Sequence, residues 1–302
     1  MWLFVALLGN ALLAVVAVID KFILTKSVAK PIIFVFYSTI FVLPFLLLLP
    51  FGMKLPAFGN DYLIFIVSGI CFALGLWTMY IAILKNEISH AGPLIGAAAP
   101  FFILFLSRFF LSEQLSVRAL LAALLLIIGS LVISFDQSAE NHGWKRSMSW
   151  GIFAGFLFAV SHVAAKYAYD SYGFFNGFVF TKLPIGIFGA LLLLSPSVRS
   201  IFRKSEKTAA VKQANTKWLT LVYADIGLGI VGTVLLQYAM ALGSVSLVNA
   251  LAGVQYAMLI IIVALISKFF PKIIKESFTK KEIIQKVVAV FIIGIGLFLL
   301  LV

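Results

Sequence analysis

Polar side chains set into otherwise apolar stretches are where this sequence could do chemistry, and their spacing groups them. His162, Lys166 and Tyr169 stand at i, i+4 and i+7, which places them on one helix face. Asn10, Ala17 and Lys21 make a matching stripe near the start of the chain. Asn249 and Tyr256 are seven apart and share a face with Ala252, while Gln255 points about a third of a turn away. Asp225, Gly229, Gly232 and Leu236 form another stripe with Gln237 and Tyr238 beside it, and Trp77 and Tyr80 stand at i and i+3. An unpartnered polar group in hydrocarbon costs roughly 2–7 kcal/mol. Such groups therefore face one another, the protein interior or a cavity.

The chemistry these residues offer is recognition rather than bond making. Asn249, Gln255 and Gln237 supply hydrogen bonds, Trp77, Tyr80 and Tyr256 supply aromatic walls, and Lys166, His162 and Asp225 supply charge. Lys21 and Lys166 fit two roles: holding an anionic ligand group or closing a gate against acids, and snorkelling to headgroups or pairing with Asp20 and Asp170. Asp225 fits a proton-exchanging carboxyl and equally a salt-bridged aspartate at a helix rim. His90 and His162 fit titration and plain hydrogen bonding alike. The three histidines are scattered and there is one cysteine, Cys71, so neither a metal centre nor a disulfide is expected. There is no glycine-rich phosphate loop, no Ser/His/Asp set and no paired-carboxylate site, so neither an enzyme nor a cofactor is expected.

The elements that position these residues follow from composition. The 302 residues are 63% hydrophobic and 11% charged, with a mean hydropathy of +1.14, far from the balance of a soluble domain. Apolar runs of about 18–24 residues match the ~20 needed for a helix to cross a bilayer core. Ten spans are expected, over 2–24, 32–49, 62–84, 88–111, 117–135, 148–169, 174–195, 218–242, 245–269 and 284–302. The first begins without a basic leader or cleavage site and reads as a permanent span. Connections after odd-numbered spans carry 17 Lys or Arg (Lys26, Lys30, Lys85, Lys145, Arg146 and six in each of 196–217 and 268–286), against three (Lys54, Arg108, Arg118) after even-numbered ones. The positive-inside rule then places both termini outside the cytoplasm, in an inner, cytoplasmic membrane. The net charge of +12 belongs to headgroups and orientation, and nucleic acid is not implied.

Two distant segments repeat one another. FVFYSTIFVLPFLLLL, from Phe34, is echoed 144 residues later by FVFTKLPIGIFGALLLL, from Phe178, which carries Lys182 and Pro184 inside the apolar run. Lys21 pairs with Lys166 at offset 145, and Gly75 with Gly232, Ala82 with Ala239, Ser89 with Ser246 and Gly96 with Gly253 at offset 157. Residues 1–135 and 148–302 thus read as two copies of a five-span unit, joined by 136–147. Five is odd, so the second copy enters the membrane inverted, the arrangement that lets a carrier alternate between two faces around a site at the midplane. The fold expected is an all-α polytopic membrane protein of ten transmembrane helices in two inverted repeats.

AILKNEISHAGPLIGAAAPFFILFLSRFFLSEQLS, from Ala82 to Ser116, followed by LLLIIGSLVIS, resembles the EamA branch of the drug/metabolite transporter superfamily, above all in the spacing of Pro100 and Glu113. In the second repeat Ala257 stands where Pro100 would map, and an insertion over 271–277 displaces Glu276. The resemblance implies a central cavity lined by spans one, three, four, six, eight and nine, and ATP-independent carriage of small polar metabolites such as amino acids. Many members keep both termini inside, against the charge count, which is retained here. The function expected is a secondary transporter, with a small metabolite, membrane lipids and a coupling proton as partners, working as a monomer or weak homodimer. Two alternatives stand beside it: a flippase for a lipid-linked substrate, and a non-transporting membrane scaffold or receptor.

Overall fold

A chain of long apolar runs must satisfy its own backbone hydrogen bonds, and helices do so within each segment. The computed structural model describes residues 1–24, 31–48, 59–85, 88–135, 148–204, 216–269 and 279–301. These residues are 92% helical and contain no strand. The helices are α1 (Trp2–Leu24), α2 (Pro31–Ile40), α3 (Asp61–Lys85), α4 (Ile88–Phe110), α5 (Val117–Ser134), α6 (Ser149–Leu191), α7 (Pro196–Lys204), α8 (Thr216–Leu242), α9 (Val245–Ala250), α10 (Ala252–Phe269) and α11 (Lys280–Leu301). Side-chain caps set several starts. Ser116 Oγ accepts from Ala119 N (3.2 Å) before α5, and Ser244 Oγ accepts from Leu247 N (3.0 Å) before α9. Thr279 and Glu282 cap each other's backbone N–H groups before α11, a reciprocal box.

Eight stretches among the described residues are long and apolar enough to cross a bilayer. One of them, Ser149–Leu194, has 46 residues, more than twice the ~20 a single crossing needs. It does not run straight. Gly173 adopts φ 75°, ψ 163°, a backbone region open essentially to glycine alone, and the chain doubles back there. A Cβ on Gly177 would lie 2.7 Å from the carbonyl of Ala168, nine residues earlier, which only a hairpin allows. α6 is thus two arms, 149–172 and 174–191, matching the sixth and seventh expected spans.

Two other expected spans differ from unbroken helices. The second stops at Ile40 and resumes as a short 3₁₀ turn, Leu43–Leu48, because Pro44 has no N–H and its ring excludes the carbonyl four residues back. The ninth is α9 and α10, joined at Leu251, whose ψ of −7° departs from the α-helical value.

Small residues bring the helices close, since lipid offers little hydrophobic drive between them. α3 lies in the cleft between the α6 arms: Ser68 Oγ donates to Ser161 O (3.0 Å) on one arm, and Gly69 abuts Pro184 and the Thr181 carbonyl on the other. α1 meets α8 where Gly9 and Gly232 approach each other's carbonyls. α5 meets α11 where Gly129 faces Ile293 and Gly296 faces the Ala122 carbonyl. The main core joins Ala6, Ile103, Leu126, Tyr169 and Met240 from five helices with Leu251 at the α9–α10 joint. Outside it, Phe4, Phe109, Phe291 and Phe298 are exposed, as expected of a surface that faces acyl chains.

Candidate functional site

Three polar groups, two buried and one half-buried, converge where α3, both α6 arms, α8 and α9 meet. On the first α6 arm, His162 Nδ1 lies 2.7 Å from Asn249 Oδ1 on the last turn of α9. Asn249 Nδ2 donates to Val245 O (2.8 Å) and to Met240 Sδ (3.1 Å), so its Oδ1 is the acceptor. His162 therefore carries its proton on Nδ1, and Nε2 is left as an acceptor. The imidazole is flanked by Phe72 and Phe158, each with its centroid 6.3 Å away.

Two turns along the same arm, the Tyr169 hydroxyl donates to Gln237 Oε1 on α8, and both residues are buried. An aromatic chain runs on from Tyr169 through Phe174 (5.6 Å) to Tyr238 (5.1 Å) and Phe178 (5.4 Å). A buried hydroxyl–amide pair and a histidine–amide pair thus tie the first α6 arm to α8 and α9.

The third group is Lys182, on the second α6 arm. It is only 7% exposed. Its Nζ sits 4.8 Å from the Phe72 centroid and 5.4 Å from that of Phe178. Phe72 thus carries His162 at one side and Lys182 at another. Among the described residues, no carboxylate meets this ammonium. Placing a lysine at membrane depth costs about 2.5–3.5 kcal/mol on insertion scales, and desolvated cation–π contacts return on the order of 0.5–2 kcal/mol each. The rings offset part of that cost, and no carboxylate among the described residues adds to them.

The remaining expected site residues fall elsewhere. Asn10 is buried on α1, with Nδ2 donating to Ala6 O (2.8 Å). Lys166 Nζ is 2.8 Å from Asp170 Oδ1, so its charge is met one turn along its own helix, the second of its two expected roles. Asp225 is buried on α8, the second residue of the apolar stretch Ala224–Leu242. Gln255 is partly buried on α10. The side chains of Lys21 and His90 lie outside the described residues.

The Tyr256 ring covers Gly92 and Gly96, so the small face of α4 receives an aromatic plate. Trp77 and Tyr80 pack instead with Val35, Phe36, Leu192 and Val198, and the Tyr80 and Ser38 hydroxyls are 2.9 Å apart. Trp77 and Tyr80 therefore lie in a different cluster from Tyr256. Phe72, Leu76 and Met79 take the α3 face that meets Phe158, and Trp77 and Tyr80 are turned away from it.

Sequence reasoning did not assign Lys182 or Phe72 to the site, although a lysine inside the repeated FVFTKLPIG segment was the available signal. Glu113, singled out by resemblance, accepts from Ser246 Oγ, which is 2.8 Å from Ser107 Oγ; this links the end of α4 to the start of α9. At the α6 bend, Asp61 accepts from the hydroxyls of Tyr167 (3.1 Å) and Tyr172, tying the bend to the first turn of α3. No group of three His, Cys, Asp or Glu able to hold a metal occurs among the described residues.

Comparison with known proteins adds the following. Residues 1–135 match the family model described as the EamA-like transporter family. Residues 1–135 are thus similar to that transporter family, and the apolar helices are those of a multi-pass membrane protein. No curated protein matches the chain. A solved structure titled only "Crystal structure of protein" aligns with a TM-score of 0.63 and 16% identity, over 97% of this chain and 94% of that one. At that identity it speaks to the fold alone.

Proposed function

We propose that this chain, whose residues 1–135 carry the EamA-like transporter signature, is a secondary carrier that moves a small polar metabolite by alternating access between two inverted five-helix repeats. The units are 1–135 and 148–302, and the ten crossings are the eight long stretches with α6 counted as two and the broken second span added.

The observation that carries the reading is the polar set His162–Asn249, Tyr169–Gln237 and Lys182, on α6, α8 and α9 of the second repeat and packed against Phe72 on α3 of the first, within the apolar stretches. A purely structural bundle gains little from polar groups there, whereas a polar solute needs them. Packing supports the repeat. Helix pairs α1 with α8 and α3 with the first α6 arm exchange under the offsets seen in sequence, and α5 packs on its own counterpart, α11. The match extends to single contacts. A Cβ on Gly232 would lie 3.0 Å from Leu13, and a Cβ on Gly75, its repeat twin, 2.9 Å from Phe158, the twin of Leu13.

In this reading the His162, Gln237, Asn249, Gln255 and Tyr256 region binds solute, with Lys166 near one rim. Asn10, Lys21 and Asp225 serve gating or coupling to a proton, in the cytoplasmic membrane with both termini outside. Solute counterflow in proteoliposomes, run over a metabolite panel with and without a proton gradient, tests the function. Trans-stimulated flux that saturates is the expected result. Transmembrane flux of a lipid-linked substrate in place of soluble solutes would replace the carrier with a flippase.

A further inference from the structure

We infer that Lys182 Nζ is the docking point for the anionic group of the carried solute, and that the solute is an apolar monocarboxylate rather than a zwitterion. This rests on the carrier reading above and deepens it. Lys182 is buried on the second α6 arm, and among the described residues its ammonium meets two ring faces and no carboxylate, so its charge has no counter-ion there. Lysines at this depth ordinarily face an acid, a carbonyl or water. A carboxylate seated on Nζ supplies the missing counter-ion.

The surroundings specify the rest of the solute. Phe72 and Phe178 flank the ammonium, Phe158 lies beside His162, and Phe45 and Phe174 border Phe178 at 5.1 and 5.4 Å. These rings form an apolar lining suited to an aliphatic or aromatic body. The polar groups within the set are a cation, an imidazole, two amides and a tyrosine. No described carboxylate stands among them. Lys166 has its acid on its own helix, Glu113 is engaged with Ser246 at the end of α4, and Asp225 is twelve residues, about 18 Å, along α8 from Gln237. A solute ammonium would find no counter-charge and would stand against Lys182. An amino acid therefore fits worse than the same body carrying the carboxylate alone.

The test measures Tm of the purified full-length protein in detergent with phenylacetate, hexanoate, phenylacetamide, phenethylamine and phenylalanine, each at about 10 mM. Both carboxylates raise Tm, the amide and amine do not, and phenylalanine acts more weakly than phenylacetate. Lys182→Met and Lys182→Gln weaken phenylacetate binding by about tenfold or more, the loss expected for a hydrogen bond to a charged group. Lys182→Arg retains binding, and Lys268→Met, a lysine exposed at the end of α10, leaves it unchanged. A carboxylate shift that survives in both neutral variants overturns the assignment, as does an equal shift from the amide or amine, or no shift from either carboxylate. Phenylacetate counterflow separates the two claims. Binding that depends on Lys182 without flux keeps the site and rejects the carrier, whereas flux indifferent to Lys182 keeps the carrier and rejects the site.

Discussion

Gly96 and Gly92 are one turn apart on α4 under the same ring, yet the structure assigns them opposite responses to an added methyl. A Cβ on Gly92 would lie 3.4 Å from Tyr256 Cε1, an ordinary contact. A Cβ on Gly96 would fall into the ring itself, 2.8 Å from Cζ and 2.9 Å from the hydroxyl oxygen. Because Tyr256 packs against the main core, the ring has little room to withdraw. Overpacking costs about 1–3 kcal/mol, and an overlap this deep belongs at the upper end. Alanine recovers about 0.5–1 kcal/mol of helix preference, so Gly96→Ala loses about 2 kcal/mol net. At about 2–4 °C per kcal/mol, Tm in detergent falls by about 4–8 °C.

Gly92→Ala keeps only the preference gain and raises Tm by about 1–4 °C. In a Tyr256→Ala background the penalty at Gly96 disappears, a coupling of about 1–3 kcal/mol. If Gly96→Ala instead raises Tm as Gly92→Ala does, the ring is not seated on α4, and Tyr256 lines open space as a cavity wall would.

Three more outcomes follow from particular contacts. Gly173→Ala meets no atom within 4 Å, so its loss of about 1–3 kcal/mol is backbone strain alone; Gly294→Ala, equally open but helical, raises Tm, and equal responses would refute the bend. Tyr169→Phe leaves Gln237 Oε1 buried without its donor and costs about 1–3 kcal/mol, most of it recovered by adding Gln237→Leu; an unchanged Tm for Tyr169→Phe contradicts the pairing. Alkaline phosphatase fused after Val302 is active in cells and a green fluorescent protein there is dark; the reverse pattern places the 17 basic residues outside and refutes the charge-count orientation.

Composition alone determined that the chain lives in a bilayer as helices, because 63% hydrophobic residues in runs near twenty have no other home. The hairpin at Gly173 falls in the gap between the expected sixth and seventh spans, whereas the break at Pro44 was not read, since the second span was expected unbroken over 32–49. The Lys166–Asp170 pair was readable as a local i, i+4 contact. What the sequence could not decide was which helix faces meet, since that depends on how distant helices are rotated about one another. Trp77 and Tyr80 look like site residues by type, but α3 turns them toward α2 and the second α6 arm. Lys182 was visible as an oddity in an apolar run. Only the folding of the α6 arms around α3, which sets Phe72 between Lys182 and His162, shows that its charge is buried against rings with no acid in contact among the described residues.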